Sequence, residues 1–240
     1  MKSHALTRKW FRNWSNEYDN TLGRIGFHRG LVDLMVKELG ASEASRVLDI
    51  GCGTGLSSLK LLKKAGCDIT AIDNSREMMG IFRDKVKKLR LRRKITCRLM
   101  DANGLDFEKN SFDGIISAVT LHHIKDKPKL LRSIRGILKP GGRLVIGDID
   151  MDSTGSHSDV DRLKRMLRVL EEEFVFALKD AGARAFSRIY DNAKKHIFNE
   201  GEYCVSLGQW AAIARRAGFR RVKVKKLSRY RFFGVVVADK

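Results

Sequence analysis

Apolar and polar positions change period several times along the chain, and each change marks an element. Over residues 1–45 the spacing is helical: Trp10, Phe11, Trp14 and Tyr18 fall on one face, and Leu31, Leu34, Met35 and Leu39 form a second stripe that stops at Gly40, a suitable C-cap. Val47-Leu48-Asp49-Ile50 then reads as a short apolar strand running straight into glycines, and helical spacing resumes over 56–64. The rhythm predicts further strands at 69–72, 95–100, 114–118 and 143–147, helices at 76–91 and 127–138, and a turn at Pro140-Gly141-Gly142. Strands separated by helical segments require right-handed crossovers and a parallel sheet covered on both faces.

Between 152 and 204 the rhythm breaks into polar, helix-prone sequence, then returns with a helix at 207–217 and strands at 221–226 and 232–238. The link between those strands is too short for a parallel crossover, so they form an antiparallel hairpin. The expected fold is α/β, a doubly wound, mostly parallel seven-stranded sheet ending in an antiparallel hairpin. It carries a helical N-terminal cap (1–45), a ligand-binding α/β domain (46–151 and 205–240) and a helical lid insertion (152–204).

Composition narrows the function classes. The 240 residues are 43% hydrophobic, enough for a full core, and 48 Lys and Arg against 28 Asp and Glu leave a net charge of +20. Such a balance favours polyanions, anionic surfaces or acidic small molecules as partners. No run approaches the roughly 18 apolar residues of a membrane span, and the opening residues lack the apolar centre of a signal peptide, so a soluble cytoplasmic protein is expected. Cys52, Cys67, Cys97 and Cys204 match no metal or iron–sulfur spacing, so no metal site is expected.

The strongest chemical signal is the loop Gly51-Cys52-Gly53-Thr54-Gly55 between a strand and a helix, where a ligand can approach the backbone closely and meet its amides. Leu56 breaks the dinucleotide pattern, and no lysine stands where a phosphate loop needs one. Asp49 would repel a pyrophosphate but suit an ammonium group. Asp73, at the end of the second strand, can accept both hydroxyls of a ribose, and Asp101, after the third, can accept from an adenine amine. Together these positions describe an adenosine with a zwitterionic, phosphate-free tail, which S-adenosylmethionine provides.

Through Leu48-Asp49-Ile50-Gly51-Cys52-Gly53-Thr54-Gly55, Asp73, Asp101-Ala102, Phe112-Asp113, Leu121-His122-His123-Ile124 and Leu138-Lys139-Pro140-Gly141-Gly142, the chain resembles the class I S-adenosylmethionine-dependent methyltransferases. Its look is nearest to their ubiquinone/menaquinone C-methyltransferase branch and related small-molecule enzymes. The resemblance implies that Asp49, Gly51 and Gly53 hold the methionine moiety, Asp73 the ribose, Met78 and Ala102 the adenine faces, Asp101 the adenine amine, and Ala118 the far wall, with Cys52 and Asn74 also among the cofactor-binding residues.

Methyl transfer from a sulfonium is an in-line displacement, for which placement of the acceptor supplies much of the catalysis. His122, His123 and Tyr18 are the candidate catalytic residues; Tyr18 could donate to the cofactor carboxylate, and His157 and His196 could face substrate. Phe174, Phe176, Phe186 and Tyr190 either line an acceptor pocket or form the insertion's own core. Basic clusters at 83–94 and 215–231 read as solvated faces or as a surface for RNA. The leading function is methyl transfer to a small-molecule acceptor. An RNA methyltransferase and a non-catalytic cofactor-binding subunit are the alternatives.

Overall fold

The computed structural model describes residues 15–156, 158–198 and 202–240. Its strands are β1 (Arg46–Ile50), β2 (Asp68–Asp73), β3 (Ile95–Leu99), β4 (Phe112–Ala118), β5 (Leu138–Ile149), β6 (Arg220–Lys226) and β7 (Phe233–Asp239). The helices are α1 (Gly26–Leu39), α2 (Leu56–Ala65), α3 (Arg76–Lys88), α4 (Lys127–Ile137), α5 (Val160–Phe198) and α6 (Leu207–Arg216). One seven-stranded sheet runs β3-β2-β1-β4-β5-β7-β6, with only β7 antiparallel to its neighbours. This is the expected doubly wound sheet with its terminal hairpin.

Period-2 alternation sends successive side chains of the central strands to two separate cores. Val47, Ile116 and Val145 face α1, α2 and α3, where Leu31, Met35, Leu61, Met79 and Phe82 pack. Leu48, Ile115 and Leu144 face α4 and α6, where Leu131, Ile134, Trp210 and Ala214 close the other side. The stop at Gly40 is real: α1 ends there with φ 64°. The Pro140-Gly141-Gly142 turn lies inside β5, where it shifts the register between Phe112 and Gly114 of β4.

The N-terminal expectation needs correction. Trp10, Phe11 and Trp14 lie outside the described residues, but Tyr18 sits in a turn between two short 3₁₀ segments, Ser15–Glu17 and Leu22–Arg24, and not on a continuous helix. Thr21 hydroxyl donation to the Glu17 and Tyr18 carbonyls, with Gly23 and Gly26 close behind, favours turns over a helix. Asp180 of α5 supplies the missing cap for α1, accepting from the Gly26 amide at 2.7 Å.

The insertion is one long helical run broken at Gly182, whose φ of 77° and ψ of −176° are non-helical. Phe174, Phe186 and Tyr190 gather into a small ring cluster with centroids 5.6–6.1 Å apart. Phe176 packs instead against Tyr230 beside β7. No described helix is long and apolar enough to cross a membrane.

How tightly α1 lies on the sheet rests on Gly147 of β5, where a Cβ would stand 2.3 Å from the Met35 sulfur and 3.1 Å from Leu31. Gly147→Ala is expected to destabilise the fold by about 1–3 kcal/mol through overpacking, measured by urea unfolding.

Candidate functional site

The sheet order reverses between β1 and β4, which opens a crevice at the C-terminal strand ends. A pocket of about 760 Å³, its mouth included, occupies that place. It is lined by Ile50, Gly51 and Gly53 after β1, Ile72, Asp73 and Asn74 after β2, Met78 of α3, and Met100, Asp101 and Ala102 after β3. Val119, Thr120, His123 and Ile124 after β4, with Tyr18, complete it.

Each loop glycine answers a different steric demand. A Cβ on Gly51 would stand 2.1 Å from the Thr120 side chain, and one on Gly55 2.1 Å from the Phe82 ring, whereas Gly53 faces open space. All three have positive φ. The loop amides are already used internally: Gly51 and Cys52 donate to the Ile72 carbonyl, Gly53 to Asp73 and Gly55 to the Cys52 carbonyl. The expectation that these amides greet the ligand is therefore corrected. The glycines supply room and close approach without forming an anion-binding nest.

Asp73 is held through both oxygens. Oδ2 accepts from the Gly53 amide at 2.9 Å and Oδ1 from the Ser75 amide at 2.8 Å, which presents the carboxylate rigidly to the pocket. Burial raises its pKa against the lowering effect of those amides. Asp101 accepts from the Asn103 amide at 2.8 Å and caps the short turn that follows.

Asp49, Cys52 and Ala118 do not line the pocket. Asp49 lies beneath the loop, accepts from the Ser58 hydroxyl at 2.6 Å, and leaves Oδ1 without a partner among the described residues. Burial pushes its pKa up to about 7. Cys52 is buried, its thiol turned to the Gly53 carbonyl.

Tyr18 reaches the pocket because its turn is clamped. Asp19 pairs with Lys85 and accepts from the Thr54 hydroxyl at 2.5 Å, while Lys85 also donates to the Thr54 carbonyl at 2.9 Å. On the other side Glu17 pairs with Arg184 and Arg188 of α5. Burial holds the Tyr18 phenol protonated, far above its usual pKa.

A second chamber of about 520 Å³, its mouth included, shares Tyr18, Val119 and His123 with the first. His122 belongs to this chamber, with His28, Phe27, Phe233 and, from α5, Glu173, Ile189, Asn192 and His196. His122 Nδ1 meets Asp148 Oδ1 at 2.7 Å. Burial works against its charged form, but Asp148 and Glu202 outweigh that and raise its pKa. Glu202 lies 2.9 Å from His123 Nδ1, and the surrounding histidines hold its pKa low despite burial. His196 is buried, contrary to what polar helical sequence suggests; His157 lies outside the described residues.

Sequence reasoning missed Ile50, Ile72, Met100, Val119, Thr120, Ile124 and Glu202. The apolar ones stand at strand ends, where pattern marks them as core. Glu202 sits in a segment with no periodic signal.

Residues 48–146 match the family described as Methyltransferase domain. The chain is 32% identical to Methyltransferase GfsG of Streptomyces halstedii over 52% of its own length and 45% of that protein's, so it spans less than half of that relative. It is 28% identical to the 2-phytyl-1,4-naphtoquinone methyltransferase of Synechococcus elongatus over 92% of this chain and 91% of that one. In fold it is similar to a solved SAM dependent methyltransferase from Aquifex aeolicus, with TM-score 0.59, 21% identity, and 93% and 92% of the two chains covered.

The residues present fit S-adenosylmethionine. Gly53 leaves open space at the pocket wall, Asp73 is a fixed acceptor for ribose hydroxyls, and Met78 and Ala102 offer apolar surface. Asp73→Ala is expected to weaken cofactor binding by about 1–3 kcal/mol with an unchanged circular-dichroism spectrum. An unchanged affinity would remove Asp73 from the site.

Asp49 also predicts a pH dependence. Its folded pKa is raised above the ordinary 3.8, so the stability it contributes is full below that value and is lost as the pH rises through about 7. Without cofactor, Asp49→Asn should melt higher than the parent protein at pH 8, and the gap should shrink towards pH 4.

Proposed function

We propose that this chain is a class I S-adenosylmethionine-dependent methyltransferase and that it methylates a neutral, ring-bearing small molecule held in the second chamber. The observation that carries this reading is the junction of the two chambers at Tyr18, Val119 and His123. A sulfonium methyl seated at the end of the first chamber faces an acceptor atom in the second. The acceptor's electron pair forms the new bond to the methyl carbon as the carbon–sulfur bond breaks, leaving S-adenosylhomocysteine. An acceptor hydroxyl or carbon loses its proton to water.

The chamber walls support a neutral ring. Leu22, Phe27, Ile149, Ile189 and Phe233 are apolar. Burial pushes the His28 pKa down to about 4 and the Glu173 pKa up to about 8, so neither brings a charge at neutral pH. Tyr18, protonated, can donate to the acceptor or to the cofactor carboxylate, and His123 borders both chambers; both are assigned to positioning. The naphtoquinone named for one relative is a ring of this kind.

Residues 152–204 are assigned the role of acceptor wall and lid, since α5 supplies Glu173, Ile189, Asn192 and His196 and carries a break at Gly182. Residues 1–45 are assigned that of cap, through the clamped Tyr18 turn. The four cysteines are all unpaired, which supports a reducing, cytoplasmic setting.

The basic surface supports a small acceptor over RNA. β6 is the outer strand of the sheet and α3 covers its other end, so both clusters flank the chambers, and no residue of 215–231 lines either one. Lysines on an exposed edge strand also hinder pairing with other chains. Transfer of tritiated methyl to fractionated small molecules, RNA and protein should label the small-molecule fraction. Replacing Arg220 and Lys223 by Glu should leave that labelling within about twofold, whereas loss of transfer in a folded, cofactor-binding variant would make the basic face the substrate platform.

A further inference from the structure

The second chamber has a floor that methyl transfer does not require. Beneath it, the stretch from His196 to Cys204 brings His196, Glu202 and Cys204 against His122 of the turn after β4, each at most 4% exposed. The ligating atoms of His122, Glu202 and Cys204 all lie within 4.8 Å of one another. His122 Nε2 is 3.3 Å and His196 Nδ1 3.8 Å from Glu202 Oε2, and Cys204 Sγ is 3.3 Å from His196 Nδ1. Ligands about 2.0–2.3 Å from a tetrahedral zinc stand at about such mutual distances.

Two further observations point to a ligand. Glu202 Oε2 is fully buried beside three imidazoles, His123 Nδ1 the nearest at 2.9 Å, and has no well-aligned hydrogen bond among the described residues. Aligned pairs would be expected if these groups had been selected to bind one another. His122 is also oriented as metal-binding histidines are: Asp148 holds Nδ1 at 2.7 Å, and is itself held by the Ile149 amide at 2.9 Å and Trp210 Nε1 at 3.3 Å. That leaves Nε2 facing Glu202 Oε2 at 3.3 Å. His196 Nδ1 faces Cys204 Sγ at 3.3 Å, while its Nε2 lies 3.3 Å from the Asn192 side-chain amide.

We propose that His122, His196, Glu202 and Cys204 bind a divalent transition-metal ion, zinc by their donor chemistry, which fastens the end of the insertion to the turn after β4. A thiolate, two imidazoles and a carboxylate form a zinc-type set. Glu202 also lines a surface depression with Lys125, Ser153 and Tyr203, which gives the ion a route from solvent. On binding, the Cys204 thiol releases its proton to water and the thiolate takes the metal. This departs from the reading of the cysteine spacing, which sees only ligands close in sequence. It does not rest on the proposed acceptor, since the ion's role is to hold the chamber wall.

The test uses the whole chain and reads metal, not methyl transfer. After incubation with zinc chloride and removal of loose ions on a chelating resin, elemental analysis should find about one zinc per chain. Cobalt substitution should give strong visible bands of a four-coordinate site with a thiolate-to-cobalt band in the near ultraviolet. Cys204→Ser should lose that thiolate band and bind zinc at least tenfold more weakly, and His196→Ala should also weaken binding. Retention of less than a tenth of an equivalent by the parent protein, or a cobalt spectrum without the thiolate band, would overturn the assignment. So would equal zinc binding by the parent and both variants. The cobalt spectrum of the parent protein decides the matter even if neither variant folds.

Discussion

The carboxylate of Asp73 is the fixed point from which the site is built. It stands at the end of β2, accepts from Gly53 in the loop after β1 and from Ser75 at the start of α3, and so locks two strand-to-helix turns to each other. Ser75 in turn caps α3 through the Met78 amide at 3.2 Å, which sets Met78 at the pocket wall. The loop can make these contacts only because Gly51 clears Thr120 and Gly55 clears Phe82. Since the loop amides are consumed internally, the pocket is poor in donors for a phosphate and offers instead an acceptor and apolar faces. Ligand choice therefore follows from where the backbone hydrogen bonds go.

The second chamber depends on contacts made far along the chain. Glu17 and Asp19 flank Tyr18 and are pulled in opposite directions, one to Arg184 and Arg188 of the insertion and the other to Lys85 of α3. Tyr18 is thereby placed between the two chambers by charges on either side of it. Each exposed pair contributes little alone, but as a set they fix one turn that has no helix of its own.

The alternating strands and helices were legible in the sequence because each central strand is a continuous apolar run between turn signals, as Val47 to Ile50 shows. The hairpin was legible from the shortness of its link. Asp73, Asp101 and the glycines could be named from their places at strand ends. Their hydrogen bonds could not: the loop amides turn inward to Ile72, Asp73 and Cys52, and Asp49 lies beneath the loop. Periodic aromatic spacing suggests a helix at Tyr18, but side-chain donation from Thr21 and the nearby glycines select turns. The buried cluster around Glu202 left no trace, because His196, Glu202 and Cys204 follow no familiar ligand spacing and meet His122 only when α5 folds back onto the turn after β4.

The central claim is that this loop and Asp73 select a phosphate-free adenosine. Titration calorimetry of the full chain with S-adenosylmethionine, NAD and ATP tests it most directly. The account predicts micromolar or tighter binding of S-adenosylmethionine with no measurable heat from NAD or ATP. Comparable binding of NAD or ATP, or none of S-adenosylmethionine, would contradict it.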